Sequence, residues 1–161
     1  MRRIAMTVFS LLVLTAAAGI ASAQSPHFVK ADVGFSGSSP NLAVTFKESG
    51  LGDNLLVNIS ASASASALYA CINGGGNHPK AANKETVNAT VSASGTFSVK
   101  NGTTSGTLTL APPGPGSFSC PNGQRLVLAS VTYSNVALTD TTNNVTKSFS
   151  GSFTRTLVDI Q

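Results

Sequence analysis

Leu55–Asn73 reads LLVNISASASASALYACIN, and this run decides the fold. Odd positions carry Leu55, Val57, Ile59, Ala61, Ala63, Ala65, Ala67 and Tyr69; even positions carry Asn58, Ser60, Ser62, Ser64 and Ser66. A period of two, one face apolar and the other hydroxyl, is the pattern of a half-buried β-strand. From Ala67 both faces turn apolar, as Leu68, Ala70 and Ile72 join Tyr69. At about 3.4 Å per residue the run would reach roughly 60 Å, far beyond an ordinary strand. The expectation is a bulge or sheet switch near Ser66–Ala67, after which both sides are buried. The alanine row is shallow, and a close-packed core must fill it from the opposite side. Phe28, Phe35, Phe46, Phe97, Phe118, Phe149 and Phe153 are available for that.

Upstream, His27–Ser36 reads as a first strand with Val29, Ala31, Val33 and Phe35 on one face. Leu42, Val44 and Phe46 make a second, and Glu48–Asp53 reads as a turn. Downstream, Val87–Val99 alternates cleanly and meets Asn101-Gly102, a two-residue hairpin signal. That turn predicts a hairpin with Phe97 opposite Gly106, Gly95 opposite Leu108 and Ala93 opposite Leu110, large against small. Ala111–Ser117, APPGPGS, cannot join a ladder. Leu126–Leu138 is apolar on both faces, as for a central strand or one with a bulge near Ser130. Asp140–Asn144 is a turn, and Asn144–Val158 closes the chain. A register pairing Tyr133 with Phe149, Val131 with Gly151 and Ala129 with Phe153 repeats the large–small match. The class is all-β: a two-sheet antiparallel β-sandwich of about seven to nine strands, immunoglobulin-like or jelly-roll. A closed barrel is the alternative.

Residues 1–23 are expected to be a cleaved secretion signal. Arg2 and Arg3 form the basic start, Ile4–Ile20 the apolar stretch, and Ala21-Ser22-Ala23 the cleavage site. Residues 24–161 then form one domain, with no membrane association once the signal is gone. Cys71 and Cys120 are the only cysteines. In an exported chain they are expected to pair, which lays two loops side by side. One follows Cys71 and holds Asn73, Gly74, Gly75, Gly76, Asn77, His78 and Lys80; the other ends in Asn122 and Gln124. Those residues are the candidate contact surface, since function concentrates on loops held by a rigid scaffold. The glycine run lacks the G-K-[ST] ending of a phosphate loop.

Little in the chain points to chemistry. Charged residues make up 10 % and the net charge is +4, of which Arg2 and Arg3 supply two. Basic residues are scattered singly, so nucleic-acid binding is not expected. His27 and His78 are the only histidines, and no G-x-S-x-G occurs. The acids fall in turns or on polar faces, where solvated charge is the expectation; Glu48 with Glu85 is the one glycosidase-like pair to be drawn. Asp140, Asn143 and Asn144 offer oxygens without a full calcium loop. No metal or other cofactor is expected. There is no tryptophan, which argues against stacking on sugar rings but leaves a hydrogen-bonding sugar site open. The expected function is a secreted, non-enzymatic interaction or structural protein meeting an extracellular protein or small ligand through the tethered loops. A small-ligand or carbohydrate carrier is the alternative, and a secreted hydrolase or hydrolase inhibitor a third.

Overall fold

The computed structural model describes residues 25–73 and 83–160. Seven strands form two antiparallel sheets and no helix is present among the described residues. Strands β1 (His27–Phe35), β2 (Leu42–Ser49) and β5 (Thr103–Leu110) make sheet A in the order β1-β2-β5. Strands β3 (Leu56–Asn73), β4 (Lys84–Ser98), β6 (Gln124–Asp140) and β7 (Val145–Thr156) make sheet B in the order β4-β3-β6-β7. The sheets pack face to face as a sandwich, and neither closes into a barrel. Seven strands that cross between the sheets after β2, β4 and β5 favour the immunoglobulin-like form over an eight-stranded jelly roll.

The alternating run is a single 18-residue strand, β3, with no break at Ser66–Ala67. The bend falls instead on its neighbour β6. Between Ser62 and Ser64, and again between Leu68 and Tyr69, β6 uses one residue more than β3. Asn135 takes up the first excess with φ of 52°, and Ala129 the second. Bulges on the partner let a long strand coil while its own alternation stays intact. Similarly, β1 bulges at Val29, which turns 49 % exposed and hands the inward position to Phe28. Leu55 is also left outside, 81 % exposed, because β3 begins after it.

The expected β4–β5 hairpin is corrected in a specific way. Asn101 and Gly102 do turn the chain, with φ of 51° and 69°, and Lys100 bridges Thr103. Beyond that bridge the strands part, β4 joining β3 and β5 joining β2. Phe97 and Gly106 still meet, but across the sandwich. A Cβ at Gly106 would overlap the Phe97 ring, lying 2.7 Å from Cδ1. Gly95 likewise faces Leu108, its absent Cβ 3.6 Å from the Leu108 Cδ2. The large–small match belongs to facing sheets, not to one ladder.

The β6–β7 register is also different. Tyr133 pairs with Phe153, Val131 with Arg155 and Val136 with Phe149. Asp140 and Val145 close directly over the Thr141–Asn144 turn, and β7 then spends an extra residue near Gly151, whose φ is 89°. The tight turn and that bulge move every pair away from the expected alignment.

The core runs between Leu42, Val44, Phe46, Leu108 and Leu110 of sheet A and Val57–Ala65, Val131, Tyr133, Val136 and Leu138 of sheet B. Of the phenylalanines expected opposite the alanine row, Phe28, Phe35 and Phe46 come from sheet A, whereas Phe97, Phe149 and Phe153 reach the same cluster from strands of sheet B itself. Phe46 meets Phe97 at 5.0 Å and Phe28 at 6.1 Å, edge to face, and Phe35 meets Tyr133 at 6.1 Å. The Tyr133 hydroxyl lies 3.1 Å from the carbonyls of both Pro40 and Leu110. It ties sheet B to the end of sheet A, and its burial pushes its pKa up to about 12.

Candidate functional site

Three places combine unusual chemistry with defined geometry. The first is the end of sheet B beyond sheet A. Strands of 8 or 9 residues cannot cover one of 18, so Ala67–Asn73 projects past them. Its inward side is covered by the 111–123 loop. Cys71 is bonded to Cys120 with the Cα atoms 5.5 Å apart, and the Tyr69 hydroxyl donates to the Pro113 carbonyl at 2.7 Å. Its outward side is covered by the C-terminal stretch, where Ile160 packs with Leu68, Ala70, Val127 and Ala129. Leu157 and Val158 donate backbone bonds to the Ala129 carbonyl.

The expected pairing of the cysteines is therefore present, and it places Asn73 beside this loop. Ser117, Ser119, Pro121, Asn122 and Gly123 are exposed there. Gln124 is not a loop residue: it opens β6 opposite Asn73, half-buried, with Oε1 lacking a partner among the described residues. The expected contacts Gly74, Gly75, Gly76, Asn77, His78 and Lys80 lie outside the described residues.

The second place is the outer face of sheet B. The register brings hydroxyl and amide side chains into ranks that cross all four strands. Thr90, Ser64, Ser134 and Ser152 form one rank; Asn88, Ser66, Thr132 and Thr154 form the next. Ser94, Ser60, Thr139 and Thr146 form another. No charged residue stands in these ranks. Thr132 bonds Thr154 at 2.9 Å and Thr139 bonds Thr146 at 3.1 Å, hydroxyl to hydroxyl. The face is dished at its centre into an open groove of about 370 Å³, lined by Ser64, Ala65, Ser66, Asn88, Ala89, Thr90, Thr132 and Ser134. The bulge at Asn135 bends the sheet beside it, and the Asn135 amide donates to Ser64 Oγ at 3.4 Å.

The third place is buried and is a correction. Glu48 and Asp140, expected in solvated turns, are both 0 % exposed. Glu48 is the last inward position of β2 after Leu42, Val44 and Phe46; Asp140 follows Val136 and Leu138 on β6. The two meet between the sheets. Asp140 accepts from Thr142 N at 2.7 Å, Asn143 N at 3.1 Å and the Asn143 side-chain amide at 2.6 Å. Neither Glu48 oxygen has a donor among the described residues. Desolvation first, then the Asp140 charge and a hydrogen bond to it, raise the Glu48 pKa from 4.5 to about 7. Two carboxylates cannot bond each other unless one holds a proton, and Glu48, with its raised pKa, is the group that holds it. With no exposed surface, this pair has no reach to a substrate.

Among the described residues no group of three or more acidic, histidine or cysteine side chains could hold a metal, and no helix is long and apolar enough to cross a membrane. The intact Cys71–Cys120 bond fits an oxidising compartment. No protein-family model, curated protein or solved structure matches the chain.

The parity that buries Glu48 was present in the sequence, since Leu42, Val44, Phe46 and Glu48 share one period of two. A glutamate beside Gly50 reads as turn chemistry, and that reading hid it. The hydroxyl ranks left a signal too, in the even positions of β3 and β4. Their alignment into one surface depended on which strands are neighbours.

Proposed function

We propose that this is an extracellular, non-enzymatic binding module whose outer face on sheet B takes an uncharged, hydroxyl-rich ligand, a carbohydrate by chemical class. The observation that carries the reading is the groove of about 370 Å³ in a face of serine, threonine and asparagine side chains. Its size lies within the range of ordinary ligand sites. Hydroxyls both donate and accept, which suits a ligand of the same kind, and an uncharged face selects against ions. The site lies on rigid strands, so little ordering is needed on binding. An apolar ligand held between the sheets is disfavoured, because that space is filled by Phe46, Phe97 and Tyr133. The test is retention on insoluble neutral polysaccharides, compared with Ser66→Asp and Thr132→Asp. Retention that both substitutions abolish supports the reading; retention unchanged by both, or none on any neutral polysaccharide, contradicts it.

A second reading keeps protein contact at the strapped end. It is favoured by the exposed Ser117–Gly123 stretch, held by the Cys71–Cys120 bond and by Tyr69.

A further inference from the structure

Strand β4 has one side to spare. Its register against β3 runs unbroken from Leu56↔Ser98 to Ala70↔Lys84, and no described strand pairs with its other edge. Open edges invite pairing with other chains, and proteins blunt them with charges, prolines, bulges or short length. Three edges of this sandwich are blunted in those ways. β1 bulges at Val29 and carries Lys30 and Asp32. β7 bulges near Gly151 and carries Lys147 and Arg155. β5 has 8 residues and runs into Pro112 and Pro113. β4 has 15 residues and, from Thr86 to Ser98, neither charge, proline nor bulge. Its inward row, Val87, Val91, Ala93 and Phe97, is only half-buried, leaving apolar area that one more strand would cover.

We propose that β4 pairs with β4 of a second copy of this chain, antiparallel about a two-fold axis, joining two four-stranded sheets into one of eight. The strand is complementary to itself. An antiparallel register centred on Val91 sets Ser92 beside Thr90, Ser94 beside Asn88, Thr96 beside Thr86 and Ala93 beside Ala89, like beside like since the side-chain period is two, and only at each end does Phe97 meet Glu85. The only charges, Lys84 and Glu85, then lie at opposite ends of the joint; parallel pairing would set like charges side by side. A closed two-fold contact of this kind uses the edge once and stops. The hydroxyl faces of the two copies become continuous, whatever ligand that face takes.

Sedimentation equilibrium of the purified protein is expected to give twice the mass of one chain. Ser92→Lys combined with Ser94→Lys puts two charges beside the joint and is expected to return the mass of one chain with an unchanged far-UV circular dichroism spectrum. Ser148→Lys combined with Ser152→Lys on β7 is expected to leave the pair intact. Hydrogen exchange on the unsubstituted protein is a second readout, in which all β4 amides from Val87 to Phe97 are expected to be protected. A protein that stays at single-chain mass up to about 1 mM, where even weak association shows, overturns the proposal. So does fast exchange at every second β4 amide in the paired state, or a pair that survives the β4 lysines.

Discussion

Along β3, Val57–Ala65 is buried on its inward face and Ala67–Ile72 on both, by different means. The first stretch is covered by another sheet. Its inward row packs with Leu42, Val44, Phe46, Leu108 and Leu110 of sheet A, and Gly106 of sheet A has no side chain where the Phe97 ring comes across from β4. The second stretch has no facing sheet. A proline-rich loop lies on one side, joined to the strand by the disulfide and the Tyr69–Pro113 hydrogen bond, and the C-terminal stretch lies on the other, its backbone bonds going to Ala129 of β6. Sheet-on-sheet packing supplies interdigitated apolar area; a loop cover supplies little and orders many backbone bonds. The disulfide sits in the half that needs it.

The largest expected effect breaks the first half. Phe97→Ala empties the ring's site against Gly95 and Gly106 and is expected to lower stability by about 3–5 kcal/mol in denaturant titration. Gly106→Ala probes the same contact from the other sheet, with an expected loss of about 1–3 kcal/mol from overpacking. Should both be tolerated, the two halves would not differ in the way described.

In the second half, replacing both cysteines by alanine is expected to cost about 2–4 kcal/mol, for a closed loop spanning 49 residues. Tyr69→Phe removes only the bond to Pro113 and is expected to cost about 1 kcal/mol.

Between these lies the Glu48–Asp140 pair, at the sandwich end away from the staple. Glu48 has a folded pKa of about 7 against 4.5 for the ordinary group. The folded protein therefore binds more protons than the unfolded chain between those values. Stability from this group is full below pH 4.5, declines as pH rises through about 7, and is flat above. The decline is on the order of 3 kcal/mol. Glu48→Gln mimics the protonated acid and is expected to remove that slope, leaving the variant more stable than the parent above pH 7. An unchanged pH profile in the variant would refute the shared proton. At the small end, Ser94→Ala on the outer face is expected to be neutral within about 0.5 kcal/mol.

Alternation carried most of the fold. Most strands were legible in the sequence because one face meets the core and the other meets water, and the ends of β3 and β6 that are covered on both sides were legible as runs apolar on both faces. What alternation does not encode is which strand lies beside which. The Asn101-Gly102 turn fits a two-residue hairpin, yet β4 and β5 separate after one bridge, β4 pairing along its length with β3 and β5 along its length with β2. The bulge at Ala129 falls beside the one expected near Ser130, but those at Val29, Asn135 and Gly151 were hidden, since an extra residue in one strand is defined only by its neighbour. The site suffered most. The cysteines and the 111–123 loop were readable as punctuation, whereas the hydroxyl ranks and the carboxyl pair are products of strand order and sheet contact.

The contrast between the two halves is tested most directly by hydrogen exchange on the protein with the Cys71–Cys120 bond intact and after its reduction. Reduction is expected to strip protection from Tyr69–Ile72 and Arg125–Leu128 while Val57–Ala65, β2 and Tyr133–Leu138 stay protected. Loss of protection spread evenly over both halves, or none in either, would contradict the division of labour described for β3.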